Sequence, residues 1–139
     1  MLPGCPEVDN PYRPLPEPDF AGFGPAIQPI VASRCAATAC HGSTDRVMTL
    51  YAVGYLRAAG SFPGTPLSAE LSDGELAWNY DALRIRLFGA SDPDDSLLLR
   101  KCLPPALGGI RHADGEVVFT DRDELDYQIL RQWATKGVQ

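Results

Sequence analysis

The chain has 139 residues, 45% of them hydrophobic, with 12 basic against 18 acidic side chains, a net charge of −6 and a pI near 4.7. That length holds one modest core, and the acidic balance excludes a nucleic-acid partner, whose phosphates need clustered Lys and Arg. No run of about 18 apolar residues occurs, which excludes a transmembrane helix.

Residues 1–19 carry Pro3, Pro6, Pro11, Pro14, Pro16 and Pro18. Proline fixes φ and removes a backbone donor, so this stretch reads as an extended arm or tether ahead of a globular domain over 20–139. Met1-Leu2-Pro3-Gly4 has neither the basic start nor the apolar run of a signal peptide. Leu2-Pro3-Gly4-Cys5 has the shape of a bacterial lipoprotein processing site, which would make Cys5 a lipid anchor. The competing expectation, narrowly preferred because it uses both remaining cysteines, is a Cys5–Cys102 disulfide.

Ala26 to Cys35 reads as a short helix, with Ile27, Ile30 and Val31 on one side and Pro29 in its first turn. It leads straight into Cys35-Ala-Ala-Thr-Ala-Cys40-His41-Gly42. Two thiols followed at once by an imidazole are what covalent attachment of haem c requires: each cysteine adds to one vinyl group, and the adjacent histidine ligates the iron. The spacer is four residues rather than the usual two. A zinc site built on Cys35, Cys40, His41 and His112 is a poorer fit, because the neighbours Cys40 and His41 diverge and no second spaced pair completes a tetrahedron. A thioredoxin-like pair lacks both the two-residue spacing and the βαβ pattern. A plain Cys35–Cys40 disulfide beside a surface His41 is the remaining alternative.

Residues 42–74 read as connection, broken by Gly54, Gly60, Pro63, Gly64 and Pro66, with Met48, Leu50, Tyr51, Val53 and Tyr55 available to cover a haem face. Asp81 to Phe88 is expected to be a helix capped by Asp81 and stopped by Gly89, although the alternation of Leu83, Ile85 and Leu87 suits a strand equally well. Ser91 to Ser96 supplies helix-start chemistry for Leu97 to Lys101, and Pro104-Pro105 ends that helix. Val117-Val118-Phe119 reads as a short strand. A last helix follows caps at Thr120 and Asp121, with Glu124 as the capping-box partner. Its apolar face is Leu125, Ile129, Leu130 and Trp133, and Lys136-Gly137 ends it.

Taken together, Pro29-Ile30-Val31, Cys35, Cys40-His41-Gly42, Ser96-Leu97-Leu98-Leu99-Arg100-Lys101, Gly108-Gly109-Ile110-Arg111-His112, Phe119 and Tyr127-Gln128-Ile129-Leu130-Arg131-Gln132-Trp133 form a series. Over residues 20–139 it resembles the small class I-like c-type cytochrome domains of environmental bacteria. In those domains a Ser-Leu-Leu-Leu-x-Lys helix precedes a His-Gly-Gly-Gly turn, and a Tyr-x-x-Leu-x-x-Trp helix closes the fold. Here the turn reads His112-Ala113-Asp114-Gly115, so only part of the glycine pattern is kept. The resemblance implies a mainly α, cytochrome c-like helical fold around one covalently bound haem, with the first and last helices crossing beside it.

His41 is then the proximal ligand. His112, the only other histidine, is the favoured sixth ligand, ahead of Met48, which follows His41 too closely to reach the opposite haem face with ease, and ahead of an open position. Arg84, Arg86, Arg100, Lys101 and Arg111 are candidates to pair with haem propionates, and Tyr127 and Trp133 are expected core aromatics. The expected function is a monohaem carrier of single electrons, bis-His ligated, periplasmic or extracellular, serving a redox partner protein. The rivals are a haem-based ligand sensor with an open sixth position and a haem-free, disulfide-stabilised interaction module. No Ser/His/Asp set, paired-carboxylate motif or nucleotide loop points to an independent enzyme.

Overall fold

A computed structural model describes residues 14–58, 66–112 and 115–138. The protein is mainly helical, and no strand occurs among the described residues. Among the described residues four α-helices run in order: α1 (Gln28–Arg34), α2 (Asp73–Arg84), α3 (Leu97–Cys102) and α4 (Leu125–Ala134). No helix among them is long and apolar enough to cross a membrane.

The first helical segment begins earlier than Ala26, with a wide π-type turn over Phe23–Ile27 that runs into α1. The turn fully buries Phe23 and Ile27, and Phe23 meets Tyr80 of α2 edge-on (5.7 Å) and Trp133 of α4 at a tilt (5.5 Å). At its other end α1 is tied to the α4 region, where Arg34 pairs with Asp126 at 3.0 Å and Glu124 at 3.1 Å. The segment that precedes the first thiol is therefore fixed at both ends by the C-terminal helix.

The helix expected over 81–88 lies instead at Asp73–Arg84. Its start is a reciprocal capping box: Ser72 Oγ accepts the Glu75 N–H at 3.2 Å, and the Glu75 carboxylate accepts the Ser72 N–H at 2.9 Å. Asp81 is no cap; it sits in the final turns and binds Arg84. Beyond Arg84 the chain coils through tighter turns to Gly89, whose φ of 85° closes the segment. The α3 helix matches its expected span, with Ser96 Oγ accepting the Leu99 N–H as its cap.

Val117-Val118-Phe119 is not a strand. Phe119 donates one backbone bond to the Cys102 carbonyl at 2.9 Å, and its ring is wholly buried against Tyr127, so the segment is an anchored connection. The last helix starts at Leu125, later than caps at Thr120 and Asp121 imply, because the Glu124 carboxylate is engaged by the Thr120 N–H and hydroxyl ahead of the helix. Its buried face is Tyr127, Leu130, Trp133 and Ala134, with Ile129 at the margin; Leu125, expected inside, is 71% exposed. The spacing of 127, 130, 133 and 134 is that of one helical stripe, and Leu125 falls outside it.

The arm's described end lies on the domain. Pro16 and Pro18 are buried, the Tyr80 hydroxyl donates to the Pro18 carbonyl at 2.6 Å, and Trp133 Nε1–H donates to the Asp19 carbonyl at 2.9 Å. Cys5 and the Ala113-Asp114 turn fall outside the described residues.

Candidate cofactor site

Cys35 is the first residue past α1, its N–H donating to the Val31 carbonyl at 2.9 Å. The chain then doubles back. The Ala37 carbonyl accepts both Cys40 N–H (2.8 Å) and Gly42 N–H (3.0 Å), while His41 N–H donates to the Cys35 carbonyl at 2.9 Å. The four-residue spacer is thus a compact loop, closed by that last bond. Gly42 is required by close approach, since a Cβ there would collide with the Ala36 carbonyl. Cys35 and Cys40 carry free thiols, and burial pushes the Cys35 thiol up to about 12, so it stays protonated at neutral pH.

His41 is oriented by the segment 48–51. Its Nδ1–H donates to the Met48 carbonyl at 2.7 Å, and the Leu50 N–H returns a bond to the His41 carbonyl at 2.8 Å. A carbonyl only accepts, so Nδ1 carries the proton and Nε2 keeps its lone pair. Burial lowers the pKa of His41 in spite of the Met48 bond, with the nearby His112, Arg86 and Arg46 adding to the effect. The ring is therefore neutral and ready to act as a donor ligand.

His112 arrives from the other side of the sequence. Ile110 N–H donates to the Arg100 carbonyl at 2.8 Å and Lys101 Nζ to the Arg111 carbonyl at 2.7 Å, which lays residues 110–111 along α3. The His112 and His41 rings are near-parallel, 26° apart, with centroids 5.8 Å from each other. His112 Nδ1 is buried and has no hydrogen-bond partner among the described residues. Burial, with Lys101, also lowers its pKa.

Both rings and both thiols line one cavity of about 590 Å³, inside the range of about 300–1,000 Å³ usual for small-molecule and cofactor sites. Its walls are apolar, from Ile30, Val31, Leu50, Leu83, Leu98 and Leu130 among others, so all four motif residues meet in one place. Of the residues expected to cover a cofactor face, Met48 and Leu50 line the cavity, whereas Tyr51, Val53 and Tyr55 do not. Met48 supplies the carbonyl that holds His41. Among the basic candidates, Arg86 and Lys101 line it, while Arg100 and Arg111 do not and Arg84 is paired with Asp81. Burial lowers the pKa of Arg86, whose guanidinium donates to the Ala82 carbonyl, and no carboxylate lies within ion-pair distance of it among the described residues.

Arg34, Arg46 and Cys102 are among the lining residues that the sequence did not assign to the site. Arg34 and Arg46 lie at the cavity wall, the latter donating to the Ala39 carbonyl at 2.8 Å. Cys102, assigned above to a bridge with Cys5, also lines the cavity; its thiol donates to the Leu98 carbonyl at 3.2 Å and burial raises its pKa. Its place on the buried stripe Leu98-Leu99-Cys102 of α3 was the available signal. Among the described residues no three or more of His, Cys, Asp and Glu converge as ligands for a bare metal ion. No protein-family model matches the chain, and neither does any curated protein or solved structure.

Proposed function

We propose that this chain is a monohaem c-type cytochrome module that carries single electrons, with His41 and His112 as the two axial ligands and Cys35 and Cys40 as the thioether anchors. The observation that carries the reading is the convergence of all four residues on one apolar cavity, with the imidazole rings near-parallel and 5.8 Å apart. The orphaned His112 Nδ1 fits a cavity with a polar guest, since an unmet buried nitrogen costs about 1–3 kcal/mol. Arg86, which has no carboxylate partner among the described residues, suits a propionate.

When bound, the haem supplies a one-electron couple. The chain's own residues do the rest. His41 holds its Nδ1 proton on the Met48 carbonyl, which leaves the Nε2 lone pair available to hold the haem iron. His112 would supply a second imidazole to the haem, and two imidazoles would favour a lower potential than a thioether partner. The apolar walls exclude water, and the compact 35–42 loop keeps both thiols beside the proximal ligand. Thioether haem implies maturation outside the cytoplasm, in the periplasm or beyond, with a redox partner protein there.

The test is chemical. Protein matured in a host with haem c machinery should retain its haem through acid denaturation and organic extraction, and Cys40→Ala should leave a one-thioether pyridine haemochrome spectrum. Haem that partitions wholly into the solvent defeats the proposal. Rapid stoichiometric carbon monoxide uptake by the reduced wild type would instead establish the sensor reading.

A further inference from the structure

The Met48 carbonyl can orient His41 only if the segment 48–51 is itself held, and α2 holds it. Asn79 is fully buried, and its amide is satisfied on both sides. Its Oδ1 accepts the Tyr51 N–H at 2.9 Å, and its Nδ2 donates to the Tyr51 carbonyl at 2.7 Å and to Gln28 Oε1 at 2.8 Å. Gln28 Nε2 also donates to the Tyr51 carbonyl, at 3.1 Å. One position earlier on α2, Trp78 Nε1–H donates to the Thr49 carbonyl at 2.8 Å although its ring is largely exposed.

Peptide groups without regular secondary structure are thereby fixed by side chains from a helix 28 or 29 residues away. A buried amide that pairs with both backbone groups of one residue acts as a substitute sheet edge. Stability accounts for part of this burial, because an apolar isostere would leave the Tyr51 N–H and Gln28 Oε1 without these partners. What it also supplies is register: a shift of 48–51 by a fraction of an ångström would lengthen the 2.7 Å His41–Met48 bond, and outer hydrogen bonds of this kind set a ligand's ring orientation and basicity.

We propose that Asn79, with Trp78, is a positioning residue for the His41 ligand, fixing its tautomer and its hydrogen-bond strength through the backbone of residues 48–51. The proposal rests on the assignment of His41 as proximal ligand. Loosening the clamp weakens the bond at Nδ1, makes the imidazole a poorer electron donor and raises the potential of the bound couple.

The variants are Asn79→Leu and Trp78→Phe, the second removing one donor from an exposed ring so that folding is spared. Tyr127→Phe, which deletes the bond to Asp94 and does not touch the segment 48–51, is the control for general loosening. Two readouts are taken. In haem-free protein, ¹⁵N-histidine spectra should report the wild-type His41 Nδ1 proton as slowly exchanging, with at least tenfold faster exchange in both clamp variants and no change in the control. In haem-loaded protein, the midpoint potential should rise in the clamp variants and hold in the control. Exchange and potential matching wild type in Asn79→Leu, or in Trp78→Phe should the former not fold, overturn the clamp. If wild type takes up no covalent haem, the reading of function fails separately, and the exchange measurement alone decides the clamp.

Discussion

His112 and Met48 make opposite demands on a ligand test. The His112 ring faces His41 across the cavity, whereas Met48 meets His41 through its backbone carbonyl and leaves its thioether dispensable for that contact. Under the proposed function, His112→Ala should convert the oxidised protein from low-spin to high-spin in low-temperature paramagnetic resonance and admit carbon monoxide to the reduced form. Met48→Leu should keep the low-spin signal, because the carbonyl survives the substitution. Gly42→Ala should impair haem retention even though no ligand is removed, since the added methyl would force the Ala36 peptide out of the loop; haem content per mole of purified protein measures it.

At the scale of the element, α2 carries two separable determinants. Ser72→Ala removes half of the capping box and should lower stability by about 1 kcal/mol, read as a shift in the urea midpoint. Glu75 is 1% exposed and ion-paired to Arg57 at 2.9 Å, with bonds from the Ala58 and Ser72 backbone. The Arg57 hydrogen bond leads these in holding its carboxyl down at about 2. An unfolded Glu titrates near 4.3, so the unfolded chain binds the proton first. The contribution is complete above that pH and is lost as pH falls toward 2. Wild type should therefore lose on the order of 3 kcal/mol between pH 6 and pH 2 that Glu75→Gln does not lose, seen in denaturation midpoints across that range. The same residue explains why α2 was misplaced from sequence. Its inward face carries Glu75 and Asn79 beside Tyr80 and Leu83, so hydrophobic periodicity reads half of that face as solvent. The box Ser72-Asp73-Gly74-Glu75 was visible, yet Gly74 reads locally as a breaker. By contrast, α3 and the thiol–imidazole cluster were legible because caps, prolines and ligand spacing are local in sequence. The clamp on residues 48–51 was not, since it depends on partners 23 to 29 positions away.

For the molecule as a whole, the cavity is shared by all four described α-helices. Ile30 and Val31 from α1, Leu83 from α2, Leu98 from α3 and Leu130 from α4 all contribute to its walls. Were even a third of its roughly 590 Å³ left void, the cost would approach about 5 kcal/mol at about 24 cal/mol per Å³, comparable to the whole stability of a small domain. Haem-free protein should consequently keep its fold, with Tyr80 and Trp133 packed away from the cavity, but melt well below the loaded form. Covalent loading should raise the transition temperature. A haem-free protein that melts as high as the loaded one would show that the core is complete without a guest.

The bond from His41 N–H to the Cys35 carbonyl closes the spacer at its base, and Thr38 and Ala39 at its middle face solvent. Exposed loop tips take insertions best, so residues added at Thr38-Ala39 should disturb the base of the loop least. A spacer lengthened there should leave both thiols in place. Under the proposed function, a search pattern that requires two residues between the cysteines passes over this chain.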